Sequence, residues 1–181
     1  YATMVVSYDL GENAGMGTAE EALGPPEPGT PMSGSLRVLS LGLGGEIVLG
    51  FGGRVFEDGP GADLIIWENA FWIGGDTENP FAELGEISVS EDGETWTSFP
   101  CDPFAENPFD SGCAGVQPRQ AFEVCDTIPL ESAIVGGDAF DLADIGVDQA
   151  RYVRIRDLAE TGDAPSAGFD LDAVGAVYFT P

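Results

Sequence analysis

The sequence predicts an all-β fold, a two-sheet antiparallel β-sandwich of jelly-roll type with short helical turns in its loops. Three observations carry this. Apolar stretches are short and rich in Val, Ile, Phe, Tyr and Trp; clusters of Gly, Pro, Asn and Asp separate them; and 26 Gly with 13 Pro leave little room for long helices. At 181 residues, 43% of them hydrophobic and 10% aromatic, the chain can bury one core, and it is read as one domain over 1–181.

Taken in order, strands are expected at 3–8, 37–41 and 46–51. Between the first two, Thr18 and Glu21 have the capping-box spacing that starts a short helix through Ala22, and Pro25 and Pro26 stop it. The Pro/Gly-rich stretch 24–34 is short enough for a loop and does not suggest a domain boundary. A strand at 63–68 follows. Strands at 86–90 and 95–99 form a hairpin, because alternating residues run into Asp92 and Gly93, whose glycine supplies the positive φ of the turn. Trp96 then packs on the sandwich. Strands at 121–124, 151–156 and 172–179 complete the set, with a second helical turn at 140–145 and Asp138 near its N-terminus.

The charge balance is extreme: 32 acidic residues against six basic ones, all Arg, for a formal charge of -26. Nucleic acid is excluded as a natural partner, since phosphate binding needs clustered Lys and Arg. Cations are the expected partner, and a solvated halophile-type surface is the competing reading. No stretch approaches the ~20 apolar residues of a membrane span, so no membrane insertion is expected. The start at Tyr1 leads to the expectation of a processed, secreted chain.

Cys101 and Cys113 flank a loop with no regular pattern. A disulfide between them removes roughly 3 kcal/mol of chain entropy from the unfolded state and implies an oxidising, extracellular compartment. Cys125 is left as either a small buried hydrophobe or an intermolecular partner. The absence of His and of a CxxC pair argues against zinc.

The hairpin Ser90, Glu91, Asp92, Gly93 leading to Trp96, followed by the run 150–156 with Tyr152, Val153, Arg154, Ile155 and Arg156, resembles the discoidin or galactose-binding-like superfamily. The runs 22–26, 45–50, 58–61, 63–71, 136–143 and 168–174 are similar to a group of bacterial cell-surface proteins of that superfamily. The resemblance implies a jelly roll of about eight strands, commonly with structural calcium and usually serving carbohydrate binding or adhesion. A fold does not name a ligand.

The residues themselves point to calcium. Asp170 and Asp172 lie two apart at a strand entry, so a period of two places both carboxylates on one face, roughly 7 Å apart. Hard cations take about six to eight oxygens from carboxylates, amides and backbone carbonyls. Glu68 and Asn69 interrupt an apolar run, and a buried charge there needs a metal or an ion pair with Arg154 or Arg156, unless the strand end has reached water. Asp138 and Asp141 form a third oxygen-rich loop, and Asp9, Glu12 and Asn13 a fourth. None matches an EF-hand loop. The expected ligands are therefore Glu68, Asp138, Asp141, Asp170 and Asp172, assembled from distant loops.

Enzyme chemistry finds little support. Without His or Lys there is no Ser-His-Asp arrangement, Schiff base or P-loop lysine, and a carboxylate pair among 32 acids has almost no specificity. Among aromatics in loop-like surroundings, Trp72 is the candidate for stacking on a sugar, while Phe104 and Phe109 are expected beneath the Cys101–Cys113 loop. The sequence thus points to a non-catalytic, calcium-binding surface module for carbohydrate binding or adhesion. The alternative is a structural subunit that assembles with copies of itself into a fibre, tube or layer, through calcium bridges and strand addition by residues 1–6.

Overall fold

A computed structural model describes residues 1–28, 30–119 and 130–180. In chain order the strands are β1 (Met4–Asp9), β2 (Leu39–Ser40), β3 (Glu46–Gly50), β4 (Phe56–Glu57), β5 (Leu64–Glu68), β6 (Phe71–Trp72) and β7 (Pro80–Phe81). They continue as β8 (Gly85–Ser90), β9 (Thr97–Ser98), β10 (Asp138–Phe140), β11 (Gln149–Ala150), β12 (Tyr152–Asp157) and β13 (Asp170–Ala176). A five-stranded sheet runs β1-β3-β12-β8-β9 and a four-stranded sheet runs β10-β5-β13-β2, both antiparallel; β11-β4 and β6-β7 are two-stranded ribbons. The expected two-sheet antiparallel sandwich is what the chain forms.

Alternation explains the packing. Ile47 and Leu49 of β3, Val153 and Ile155 of β12, and Ile87 and Val89 of β8 meet Leu64 and Ile66 of β5 and Leu171 and Val174 of β13 in one buried core. Each such side chain contributes about 1.5–3 kcal/mol when fully buried. Residues 1–3 step from one sheet to the other: the Ala2 amide donates to Val174 O and the Thr3 amide to Gly50 O.

The two outer faces differ. That of the five-stranded sheet carries Arg154, Arg156, Glu46 and Glu86, paired across strands. On the other side of the four-stranded sheet, Ile65, Trp67 and Ala173 pack under Val135, with Tyr1 and Leu130 against them. Consequently β5 and β13 are buried along their whole length. A polar residue on either strand is buried whichever way it points.

Several elements differ in detail from the sequence reading. The strand expected at 95–99 shrinks to Thr97–Ser98, and Asp138 opens a strand instead of preceding a helical turn. The last strand starts at Asp170 and ends at Ala176. Both helical turns form, at Ala19–Ala22 and Leu142–Ile145. Thr18 makes no side-chain cap, however, and the second turn is capped by Asp141, whose carboxylate accepts the Ala143 amide. The hairpin turns at Gly93 with φ 78°, and the Arg154 guanidinium lies over Trp96 at 4.6 Å. The strand expected at 121–124 and Cys125 lie outside the described residues.

Cys101 and Cys113 are joined by a disulfide. Within its loop, Phe109 packs against Trp72, with ring centroids 6.1 Å apart. Phe104 does not fold beneath the loop: it is 77% exposed. A tight turn, in which Asp102 accepts the Phe104 amide on its carboxylate and the Ala105 amide on its carbonyl, carries the ring outward.

Candidate metal centre

The expected ligands do not converge on one point. The structure distributes Glu68, Asp138, Asp141, Asp170 and Asp172 over four environments, one of which, at Asp141, brings three carboxylate oxygens close enough to share a cation.

The first gathers Asp58, Asp63 and Asp141, each offering a carboxylate oxygen within 4.8 Å of the others. Asp63 opens the approach to β5 and is fully buried; Asp58 is exposed and Asp141 half-buried. The buried carboxylate is anchored by two amides, Gly59 at 2.8 Å and Leu142 at 2.8 Å. Burial raises its pKa above the ordinary carboxylate value, the two amides pull it back, and the charges of Asp141 and Asp58 raise it further. A cation among the three removes that repulsion.

The second lies where β5 and β12 end and β13 begins. Glu68 follows Leu64 and Ile66 on the inward alternation of β5, and Asp157 follows Val153 and Ile155 on that of β12, so both carboxylates close the end of the core. Asp157 is fully used by backbone: Phe169 N donates to one oxygen, and Gly44 N and Ala159 N to the other. Gly168 has φ +71° and lies so close that a Cβ would sit 2.5 Å from Asp157 Oδ1, so only glycine fits there. Glu68 is the opposite case. It is 1% exposed, and neither carboxylate oxygen has a hydrogen-bond partner; Oδ1 of buried Asp170 has none either.

Like charges add to the burial. Burial pushes the Glu68 carboxyl well above the usual range, with Glu83 and Asp170 adding to the shift. Burial, then the Asp170 and Asp157 charges, pushes Glu83 up to about 8. Asp170 is raised to about 6 by burial, against the pull of the Ser40 and Asn69 side chains. Glu83 is half-buried and lines an open cleft of about 330 Å³ with Leu84, Phe104, Leu158 and Glu160.

Asp138 and Asp172 belong to neither group, which corrects the expectation that they join the ligands. Asp138 accepts the amides of Gly115, Val116 and Gln117, and burial against them leaves its carboxyl at about 7. It holds the chain that bridges Ala114 to Gly85, just beyond Glu83. Asp172 accepts the Glu27 amide on one oxygen and pairs with buried Arg119 through the other at 2.7 Å. It parts from Asp170 because the β13 register shifts between Leu171 and Ala173, breaking the period of two on which a shared face depended. The ion pairs offered to Glu68 are absent too: Arg154 faces Glu46 and Arg156 faces Glu86.

The sequence reading missed Asp58, Asp63, Glu83 and Asp157. Asp63 and Asp157 were within reach, since Asp157 continues the core-facing alternation of Val153 and Ile155 with a charge, and Asp63 that of Ile65 and Trp67 on the other buried face. Glu83 carries no such signal. Trp72, the sugar-stacking candidate, is half-buried against Phe109 and is not part of either acidic group.

No protein-family model matches the chain, and no curated protein matches it. Among solved structures, a chain described as "Glycoside hydrolase" is similar at 14% identity and a TM-score of 0.34, over 75% of this chain and 20% of that one. The present chain thus spans about a fifth of the length of the structure it matches.

Proposed function

We propose that the chain is a non-catalytic, calcium-binding extracellular surface module of the galactose-binding-like superfamily, serving carbohydrate binding or adhesion. The observation that carries the calcium reading is the Asp58, Asp63 and Asp141 group, whose oxygens lie within 4.8 Å of one another. Ligands bonded at about 2.3–2.6 Å to one ion span such distances. An all-oxygen set without His or Cys favours a hard cation over zinc or copper. Backbone carbonyls and water would complete an irregular sphere, which suits calcium better than the strict octahedron of magnesium. Because Asp63 is anchored to Gly59 and Leu142, a bound ion ties residues 58–63 to the turn that Asp141 caps. The disulfide supports an oxidising compartment.

The test is thermal unfolding of chelated and calcium-saturated protein. Calcium raises the melting temperature, and Asp58→Asn reduces the rise, because a ligand that binds only the folded state stabilises it. An unchanged melting temperature contradicts the reading. For carbohydrate, the exposed Phe104 ring on its disulfide-closed loop is the best-presented platform. Glycan-array binding that Phe104→Ala abolishes supports it, and a clean negative with the native protein counts against it.

Self-assembly is favoured by one feature. β1 is an edge strand, and Met4, Val6 and Tyr8 on it, with Leu10 just after, are exposed. Residues 1–3 are tied into their own sandwich, so a neighbour would add to the β1 edge without the donation of this segment. Particle size in calcium and in chelator separates the readings: a calcium-dependent large assembly supports it, and a monomer in both conditions sinks it.

A further inference from the structure

We infer that the ribbon β6-β7 and the cleft beside it form a docking surface for a partner protein that presents an apolar anchor ringed by Lys and Arg. This surface rests on the adhesion half of the proposed function and supplies its partner. Trp72 is extended, so alternation places Phe71, Ile73 and Phe81 on one face of the ribbon, while Trp72 turns the other way onto Phe109. Phe71 and Phe81 pair across the ribbon with their rings stacked, centroids 5.0 Å apart. Alongside, the Trp72 amide donates to Pro31 O, and the next residue, Met32, lies over Gly75.

This face is more apolar than the fold requires. Met32 is 53% exposed, Ile73 43% and Phe81 42%, and neither they nor Phe71 belong to either buried cluster. The ribbon pairs only two residues on each strand, too few to stand alone, and it is braced from behind by the Trp72–Phe109 contact. Exposed apolar side chains are ordinary when scattered, whereas a contiguous group of them marks an interaction site. From Phe81 the chain runs through Ala82 into the cleft of about 330 Å³, whose walls include Leu84, Leu158 and Phe104. A flat aromatic step beside a pocket suits one anchoring side chain of a partner.

Charge selects the occupant. Asp76 and Glu78 stand at the ribbon tip and Glu160 lines the cleft, all three exposed. The ion pairs of the described residues lie elsewhere: Arg37 with Glu21 and Glu27, Arg119 with Asp172, Arg154 with Glu46 and Arg156 with Glu86. A basic rim on the partner therefore meets uncommitted carboxylates around an apolar centre. A second copy of this chain lacks such a rim, having no Lys, six Arg and a charge of -26. The same charge repels an anionic membrane. A sugar gains little from Met32 and Ile73, which offer it neither a ring to stack on nor a strong hydrogen-bonding group.

Panning a random peptide library on the full chain in calcium tests this. The selected peptides combine a large apolar residue with flanking Lys or Arg, and a synthetic copy binds the native chain about tenfold or more tighter than it binds Phe81→Ser. Added salt weakens that binding, and Asp76→Asn with Glu78→Gln slows association. A scrambled copy of the same composition binds the native chain no better than it binds Phe81→Ser, which separates docking from attraction to bulk charge. An empty selection, peptides without basic residues, or equal affinity for Phe81→Ser overturns the proposal. Other occupants overturn it too: self-association, or binding to phosphatidylcholine vesicles or to a glycan, that Phe81→Ser abolishes. Should Phe81→Ser fail to fold, Ile73→Ser, outside the paired residues of the ribbon, decides by the same criteria. Calcium-dependent melting and the Phe104→Ala glycan test read the proposed function separately, so either can fail without the other.

Discussion

Asp170 and Asp172 stand two residues apart on one buried strand, and the protein treats them in opposite ways. Asp172 is fully provided for, by Arg119 at 2.7 Å and by the Glu27 amide. Asp170 has one oxygen without a hydrogen-bond partner, and neither carboxylate oxygen of buried Glu68 has one. Burial is nearly equal, so desolvation does not separate them. What differs is whether the chain supplies the counter-charge. The chain supplies a counter-charge at the Asp172 corner, while the Asp170 corner leaves buried carboxylate oxygens without a hydrogen-bond partner.

The comparison can be broken at either end. Removing Arg119 leaves Asp172 charged, buried and unpaired, which costs about 3–5 kcal/mol. Arg119→Met should therefore lose that much in urea unfolding, equally in calcium and in chelator. A loss confined to one condition would mean that the two corners are not independent.

A pH titration sharpens it next. Burial raises the folded-state carboxyl of Asp138 to about 7, while in the unfolded chain it titrates near 4. The stability tied to its proton is full below about pH 4 and declines as pH rises through 7, because the unfolded chain releases that proton first. The decline persists in saturating calcium, since three backbone amides occupy Asp138 and no ion reaches it. Unfolding midpoints between pH 5 and 8 in calcium check this, and a flat profile contradicts it.

At the Asp170 corner the expected effect is smaller and opposite in sign. Glu68→Leu gains on the order of 1–3 kcal/mol, because it removes a buried carboxyl whose oxygens have no hydrogen-bond partner. The smallest effect belongs to the open outer face. Arg156→Ala breaks a half-exposed pair with Glu86 and should shift stability by less than about 1 kcal/mol under any condition.

Much of the sandwich was legible because its signals are local. Alternation gave β3, β5, β8 and β12 nearly to the residue, and the glycine of the Asp92–Gly93 turn gave the hairpin. The Cys101–Cys113 pairing was readable from the loop it closes. The sites were less so, because they depend on what neighbouring strands bring. Glu68 and Asp170 stood out as charges against apolar runs, and both are buried with oxygens that lack a hydrogen-bond partner. Asp172 looked equivalent to Asp170 until the bulge turned it towards Arg119, a residue far along the chain. Asp138 was read as a ligand in an oxygen-rich loop because the three amides that claim it come from 115–117, with no pattern to announce them. Phe104 was expected in a satellite core, and the turn at Asp102 sends it to solvent instead. A bulge, a loop turn and a long-range ion pair all act across the chain, which is where periodicity carries no information.

The most direct measurement is an anomalous difference map from crystals grown with calcium and then exchanged with a lanthanide. The account predicts a peak beside Asp58, Asp63 and Asp141 and none at Asp172 or Asp138. A featureless Asp58–Asp63–Asp141 group, or a peak on the Arg119–Asp172 pair, would contradict it.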